Sequence, residues 1–135
     1  MDSQQPLILV ADDETHILHV VSLKLRNAGF DVITAEDGEE ALELAIEHGP
    51  DLLITDFQMP YMTGLELCQK LKENESTAQL PAVMLTARGF SLSQADMDQT
   101  NISGVLSKPF SPREVLTKVN ELLGRASEPE PESCA

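Results

Sequence analysis

The sequence has few cationic, aromatic and sulfhydryl side chains. Nine Lys and Arg stand against 23 Asp and Glu, a formal net charge of −14 at pH 7. Because nucleic-acid binding depends on Lys and Arg to neutralise phosphates, this balance argues against direct contact with DNA or RNA. It is compatible with a cation site or a basic protein partner. Two Cys and no Trp are present, which is too little Cys for a disulfide framework, and the Cys spacing fits no metal site.

Long apolar segments are also missing. No stretch approaches the ~20 apolar residues that a membrane-spanning helix needs. Residues 1–6 lack the basic and then apolar order of a signal peptide. We therefore expect a cytoplasmic protein without membrane association. A hydrophobic content of 41% is enough for one globular domain, since a chain of this length buries roughly two-thirds of its unfolded surface.

Short apolar runs alternate with amphipathic stretches along the chain. Strands are predicted at residues 7–11, 31–35, 51–55, 82–86 and 104–107. Helix starts are indicated by three capping-box patterns, Asp37 with Glu40, Thr63 with Glu66 and Ser111 with Glu114. Strict strand–helix alternation predicts an α/β fold with right-handed crossovers and an open parallel sheet. Five strands favour the flavodoxin-like (βα)5 doubly wound arrangement, with strand order 2-1-3-4-5.

Two segments depart from this pattern. Residues 93–100 form a short, polar helical stretch, for which we expect a mobile element. Residues 125–135 are rich in Pro, Glu and Ser without apolar periodicity, which is typical of a disordered acidic tail. We expect a folded domain at residues 1–124, either as a stand-alone protein or as a fragment of a longer one.

Polar side chains stand at the ends of four predicted strands. Asp12 and Asp13 follow the first strand, Asp56 follows the third, Thr86 ends the fourth and Lys108 follows the fifth. In an open α/β sheet, the ligand crevice lies outside the carboxyl ends of the strands, where the strand order reverses. Strands one and three flank that point in the order 2-1-3-4-5. We therefore expect these five side chains to line one crevice.

The composition of this crevice suggests its chemistry. Three clustered carboxylates repel one another unless a cation neutralises them, and Mg²⁺ commonly binds one or two carboxylates together with waters and phosphate oxygens. Lys108 would add a fixed positive charge. Such a crevice suits phosphoryl transfer, with Asp56 as the candidate nucleophile. Glu14 is interpreted only as a charge that stabilises the start of the first helix.

Four segments together resemble the receiver domain of bacterial two-component response regulators. They are "ILVADDE", "DLLITDFQMPYMTGLEL", "AVMLTA" and "LSKPF", in the family's order and spacing over about residues 5–124. The resemblance, to a stand-alone, chemotaxis-regulator-like member, implies phosphorelay signalling. Asp56 would accept a phosphoryl group from a sensor histidine kinase or phosphotransfer protein. The chain would then change its affinity for a downstream protein, which the sequence does not identify, and would catalyse only its own phosphorylation and dephosphorylation.

The resemblance also implies a metal site. Asp13 and Asp56, with the backbone carbonyl of Gln58, would bind Mg²⁺ directly, and Asp12 would act through water. Gln58 and Arg88 lie two residues after Asp56 and Thr86. We predict that these two side chains set how long the phosphoryl group survives.

Further roles follow from the same resemblance. Thr86 would hydrogen-bond the phosphoryl group, and Lys108 would pair with it beside a cis Lys108–Pro109 peptide. The family commonly has Tyr or Phe at the position of Val105. An aliphatic side chain cannot report phosphorylation by the movement of a ring from an exposed to a buried position. Val105 therefore does not indicate how the protein signals to a partner.

Three other functions explain less of the sequence. A haloacid-dehalogenase-like phosphatase also uses a strand-end Asp, but that family has a second Asp two residues later, where this chain has Gln58. A phosphorylation-independent docking module is favoured by Val105 and disfavoured by the complete acidic site. A flavodoxin-like FMN protein lacks support, because no Ser-, Thr- and Gly-rich phosphate loop follows the first strand.

Overall fold

Five strands and five helices alternate along residues 5–86 and 93–124, which the computed structural model describes. The strands are β1 (Leu7–Ala11), β2 (Asp31–Ala35), β3 (Leu52–Asp56), β4 (Ala82–Thr86) and β5 (Ile102–Ser107). The helices are α1 (Thr15–Asn27), α2 (Gly38–His48), α3 (Gly64–Glu73), α4 (Gln94–Asp98) and α5 (Pro112–Leu123). Within these residues, no helix is both long and apolar enough for a membrane span. Residues 125–135 lie outside the described part, so the domain boundary at residue 124 stays a prediction.

The strands form one parallel sheet in the order β2-β1-β3-β4-β5. This confirms the predicted architecture. Strands β1 and β3 are direct neighbours, with Ala11 opposite Thr55. Because both strands run in the same direction, the residues that follow Ala11 and Thr55 lie side by side at the same end of the sheet.

Two strands differ from their predicted limits. Strand β3 begins and ends one residue later than expected, because Asp56 pairs with Leu85 of β4. Asp56 is therefore the last residue of the strand rather than the first residue after it. Strand β5 begins at Ile102 instead of residue 104, because Ile102 pairs with Ala82. Both corrections come from pairing between strands, which the apolar pattern of a single strand does not reveal.

The sheet is covered on both faces, and neighbouring residues of a strand face opposite layers, as the strand geometry requires. In β1, Leu9 belongs to the layer beneath α2 and α3, whereas Ile8 and Val10 belong to the layer beneath α1 and α5. Leu53 and Ile54 of β3 divide in the same way. Burial on both faces explains why the central strands read as nearly continuous apolar runs.

Two of the three predicted capping boxes are confirmed, at Thr63 with Glu66 and at Ser111 with Glu114. The third is wrong in one half. The Asp37 carboxylate accepts a hydrogen bond from the Glu40 amide at 2.8 Å, but the Glu40 carboxylate accepts from the amide of Glu36 instead of that of Asp37. The start of α2 is therefore stabilised one residue further upstream than the box pattern predicts.

Helix α4 is shorter than the predicted stretch of residues 93–100. It has five residues, none of them buried. A reciprocal capping box between Ser93 and Asp96 supports its first turn. The predicted short helix is confirmed, whereas the predicted mobility stays a prediction.

Gly64 allows α3 to begin directly against the end of β3. A Cβ atom at this position would lie 2.3 Å from the backbone oxygen of Asp56 and 2.9 Å from Sδ of Met84. The Gly64 amide donates to the Phe57 carbonyl oxygen at 2.7 Å. The absent side chain thus permits a close backbone approach beside Asp56.

We expect Gly64→Ala to lower the free energy of unfolding by about 1–3 kcal/mol, the usual cost of overpacking. Helix propensity alone would change stability in the opposite direction, by up to about 1 kcal/mol. The sign of the change therefore separates the two effects. Urea unfolding followed by far-ultraviolet circular dichroism measures it. Lys70→Ala, an exposed change in the same helix, is the control, and a Gly64→Ala protein as stable as the wild type would contradict the close approach.

Candidate functional site

Three carboxylates meet at the carboxyl ends of β1 and β3. One oxygen each from Asp12, Asp13 and Asp56 lies within 4.8 Å of the others. Asp12 is held at the end of β1 by its amide, which donates to the Ala35 carbonyl oxygen of β2 at 3.1 Å. Asp12 and Asp56 are buried and Asp13 is exposed. The structure therefore brings together the acidic residues that the sequence placed in one crevice.

Lys108 reaches this cluster from the end of β5. Its Nζ atom lies 3.2 Å from Oδ1 of Asp56 and 3.9 Å from Oδ2 of Asp12. The backbone holds the lysine in place, since its amide donates to the Thr86 carbonyl oxygen at 2.8 Å. The Lys108–Pro109 peptide is cis, as the resemblance implied.

Among the described residues, the crevice carries more negative than positive charge, and burial raises the pKa of its buried acids. Loss of hydration on burial raises the pKa of Asp12 to about 6, with a further contribution from the charge of Asp56. Burial also raises the pKa of Asp56, although the ammonium of Lys108 opposes this change. For Lys108, burial acts to lower the pKa, but the charges of Asp12 and Asp56 outweigh it and the net pKa is raised. A further cation would relieve this imbalance.

The acidic residues fit a hard divalent cation. Oδ1 of Asp12 accepts from the Glu14 amide at 2.9 Å, whereas Oδ2 is buried and has no hydrogen-bond partner among residues 5–86 and 93–124. Lys108 Nζ is too distant from Oδ2, at 3.9 Å, to donate to it. An unpaired buried carboxylate oxygen beside two other carboxylates has the chemistry of an oxygen-ligand site. Asp12, Asp13 and Asp56 are thus the residues that could hold a metal.

Thr86 ends β4 next to this cluster. Its side chain is fully buried, and its hydroxyl is 3.5 Å from the Leu106 carbonyl oxygen, a long and weak hydrogen bond. Val105, on the adjacent strand β5, is 36% exposed and pairs with Met84 rather than with Thr86. Among the described residues, this weak hydrogen bond is the one that the Thr86 hydroxyl would break by turning towards another acceptor.

The roles predicted for Gln58 and Arg88 are not tested by the structure. Gln58 is exposed in the turn after β3, and its carbonyl as a metal ligand stays a prediction. Arg88 lies outside the described residues. Its role is untested by the structure.

Glu14 has a contact that its sequence interpretation missed. Its Oε1 atom lies 3.6 Å from Nζ of Lys108. Glu14 is the N-cap residue of α1, yet its side chain makes no capping hydrogen bond. The position of Glu14 directly after the acidic pair Asp12 and Asp13 is the signal that could have placed it at the crevice.

We expect Asp12→Asn to stabilise the metal-free protein at pH 8, by about 1–3 kcal/mol for a pKa shift of this size. The folded-state pKa of Asp12, about 6, is above its reference value of 3.8. The buried charge therefore destabilises the fold above pH 6, and the penalty disappears as the pH falls to 4. Asparagine removes the charge and keeps an oxygen acceptor for the Glu14 amide.

Urea unfolding in the presence of a chelator, at pH 4 to 8, measures this difference between Asp12→Asn and the wild type. Asp31→Asn, an exposed change outside the crevice, is the control and should give a small, constant difference. A stability difference for Asp12→Asn that does not grow with pH would contradict a buried charge at this position.

Comparison with known proteins agrees with this geometry. A family model described as the response regulator receiver domain matches residues 8–120. The alkaline phosphatase synthesis transcriptional regulatory protein PhoP of Bacillus subtilis is 38% identical over 126 residues, covering 93% of this chain and 52% of PhoP. This chain spans about half the length of the curated relatives that it matches.

Solved structures show the same fold. The chemotaxis response regulator CheY4 of Vibrio cholerae superimposes with a TM-score of 0.81 at 32% identity, covering 88% of this chain and 99% of CheY4. A putative response regulator from Chloroflexus aurantiacus gives a TM-score of 0.82 at 34% identity, covering 90% of this chain and all of that one. With the strand order, the crevice and these matches in agreement, the chain belongs to the response regulator receiver domain family.

Proposed function

We propose that this chain is a Mg²⁺-dependent phosphorylation switch. Asp56 accepts a phosphoryl group from the phosphohistidine of a sensor histidine kinase or a phosphotransfer protein, and the chain then changes its affinity for a protein partner. The observation that carries this proposal is the position of the Lys108 ammonium, 3.2 Å from Oδ1 of Asp56 at the edge of the acidic cluster. The predicted cytoplasmic location is part of the proposal.

The reaction requires a carboxylate nucleophile in a crevice that accepts an anionic group. A carboxylate oxygen of Asp56 forms a bond to phosphorus, the phosphorus–nitrogen bond of the phosphohistidine breaks, and the imidazole leaves with a proton. Lys108 balances charge on the phosphoryl oxygens, a task for which its raised pKa keeps it protonated. Thr86 follows Leu85, which pairs with Asp56, and its hydroxyl would turn towards those oxygens. Positioning and charge neutralisation are the main contributions that proteins make to phosphoryl transfer.

The acidic cluster supports the metal part of the proposal. Asp12, Asp13 and Asp56 would hold Mg²⁺, with the carbonyl of Gln58 as a further predicted ligand. The ion would neutralise negative charge on the carboxylates and on the incoming phosphoryl oxygens. The unpaired Oδ2 of Asp12 supports this assignment.

Signalling to the partner would start at Thr86. A movement of its hydroxyl is transmitted most directly to β5, whose Leu106 carbonyl it now faces at 3.5 Å. Val105 lies on the same strand and is partly exposed. Because Val105 has no ring to move inward, we expect partners to read the backbone and neighbouring side chains of β5. Family membership favours this switch over the phosphatase hypothesis. Unaltered partner binding by an Asp56→Asn protein would support the docking hypothesis instead.

We expect Asp56→Asn to abolish phosphorylation by acetyl phosphate and Mg²⁺, because the amide is not a comparable nucleophile. Intact-protein mass spectrometry measures the added group, and omission of Mg²⁺ in the presence of a chelator should suppress labelling of the wild type. Asp31→Asn is the matched control and should be labelled normally. Multiple turnover of the donor without accumulation of labelled protein would instead favour a phosphatase, and equal labelling of Asp56→Asn would overturn the assigned residue.

We expect Gln58→Ala and Arg88→Ala to change the lifetime of the phosphorylated protein. The Gln58 side chain follows the acceptor by two residues, where its amide can orient a water molecule, so its loss should slow hydrolysis. The decay of labelled protein after removal of the donor measures both lifetimes. Decay rates equal to that of the wild type in both variants would exclude the predicted modulating roles.

A further inference from the structure

Glu14 contacts the Lys108 ammonium of the crevice but does not belong to the cluster of Asp12, Asp13 and Asp56. Its Oε1 atom lies 3.6 Å from Nζ of Lys108, which is also 3.2 Å from Asp56 and 3.9 Å from Asp12. The group of carboxylates whose oxygens lie within 4.8 Å of one another contains Asp12, Asp13 and Asp56, and among the described residues Glu14 is not part of it. One ammonium is therefore shared by two acids of the cluster and one acid outside it.

The local backbone directs Glu14 to this position. The Glu14 amide donates to Oδ1 of Asp12 at 2.9 Å, which ties the first residue before α1 to the crevice. The Glu14 side chain is 59% exposed and does not cap α1. Its carboxylate is thus at the solvent-facing rim of the crevice, beside Lys108.

We propose that Glu14 is a positioning residue that retains Lys108 in the unphosphorylated state and competes with the incoming phosphoryl group for its ammonium. This inference rests on the proposed function of Asp56. A phosphoryl group on Asp56 carries more negative charge than the carboxylate that it replaces, so it draws Lys108 away from Glu14. Glu14 also repels an anionic donor at the rim. Both effects make phosphorylation less favourable, and neither requires Glu14 to touch the metal.

Glu14→Gln tests this role because it removes the charge and preserves the size of the side chain. With acetyl phosphate and Mg²⁺, we expect the half-saturating donor concentration to fall about two- to fivefold, the range that a partly exposed ion pair allows. The maximal rate should change little, because Glu14 does not contact the reacting atoms. The difference from the wild type should shrink at high salt, where ions screen the exposed carboxylate.

Two further variants distinguish an effect of the contact between Glu14 and Lys108 from a general effect of negative charge. Glu43→Gln, an exposed change on α2 that removes the same charge away from the crevice, should behave as the wild type. Glu14→Asp keeps the charge but shortens the side chain by one methylene, so a role through the contact with Lys108 predicts a partial gain. Wild-type behaviour of Glu14→Asp beside a gain in Glu14→Gln would overturn the contact with Lys108 and leave only repulsion. An unchanged Glu14→Gln protein would overturn the inference altogether.

A direct readout is independent of phosphorylation. The ¹⁵N resonance of the Lys108 side chain in the unphosphorylated protein should shift in Glu14→Gln and stay unchanged in Glu43→Gln. If the wild type is not labelled at Asp56 but this shift occurs, the proposed function fails and the ion pair stands. If the wild type is labelled normally and neither the donor dependence nor the resonance changes in Glu14→Gln, only the role of Glu14 fails.

Discussion

The site depends on the parallel pairing of β1 with β3. Because these neighbouring strands run in the same direction, Asp12 and Asp56 leave the sheet at the same edge and are buried beside each other. Burial of two like charges is unfavourable, and it raises the pKa of both carboxyls. The Lys108 ammonium offsets part of this cost, at 3.2 Å from Asp56. A bound cation would offset the excess of negative charge that remains among the described residues of the crevice.

The same packing that stabilises the fold leaves this charge imbalance in place. Strand alternation places Leu53 and Ile54 in the two apolar layers, and Gly64 allows α3 to close against the backbone of Asp56. These contacts enclose the backbone of Asp56 at the end of β3. A site of this kind is organised before a ligand binds, which is the condition under which fixed charges contribute most to phosphoryl transfer.

In the proposed switch, the input side is the crevice around Asp56 and the output side is formed by Thr86 and Val105. The two sides differ in the number of contacts that hold their side chains. At the proposed input site, the Lys108 ammonium lies within 4 Å of carboxylate oxygens of Asp12, Glu14 and Asp56. On the output side, Thr86 is fully buried with one weak hydrogen bond, and Val105 is partly exposed on the next strand. The curated relatives that this chain matches are about twice as long as the chain. Glu14 belongs to the input side, because its carboxylate contacts Lys108.

Much of the fold and of the site was determined by the sequence alone. Apolar runs and capping residues are local signals, so they predicted five strands, two of three capping boxes and, through the strand order, the convergence of Asp12, Asp56 and Lys108. Tertiary structure decided what depends on pairing and burial between distant segments. In the tertiary structure, β3 ends at Asp56 and the Glu14 carboxylate contacts Lys108. One oxygen of Asp12 has no hydrogen-bond partner among the described residues. These features depend on where individual side chains point and on how far they are removed from water. A periodic pattern along one segment does not specify either property.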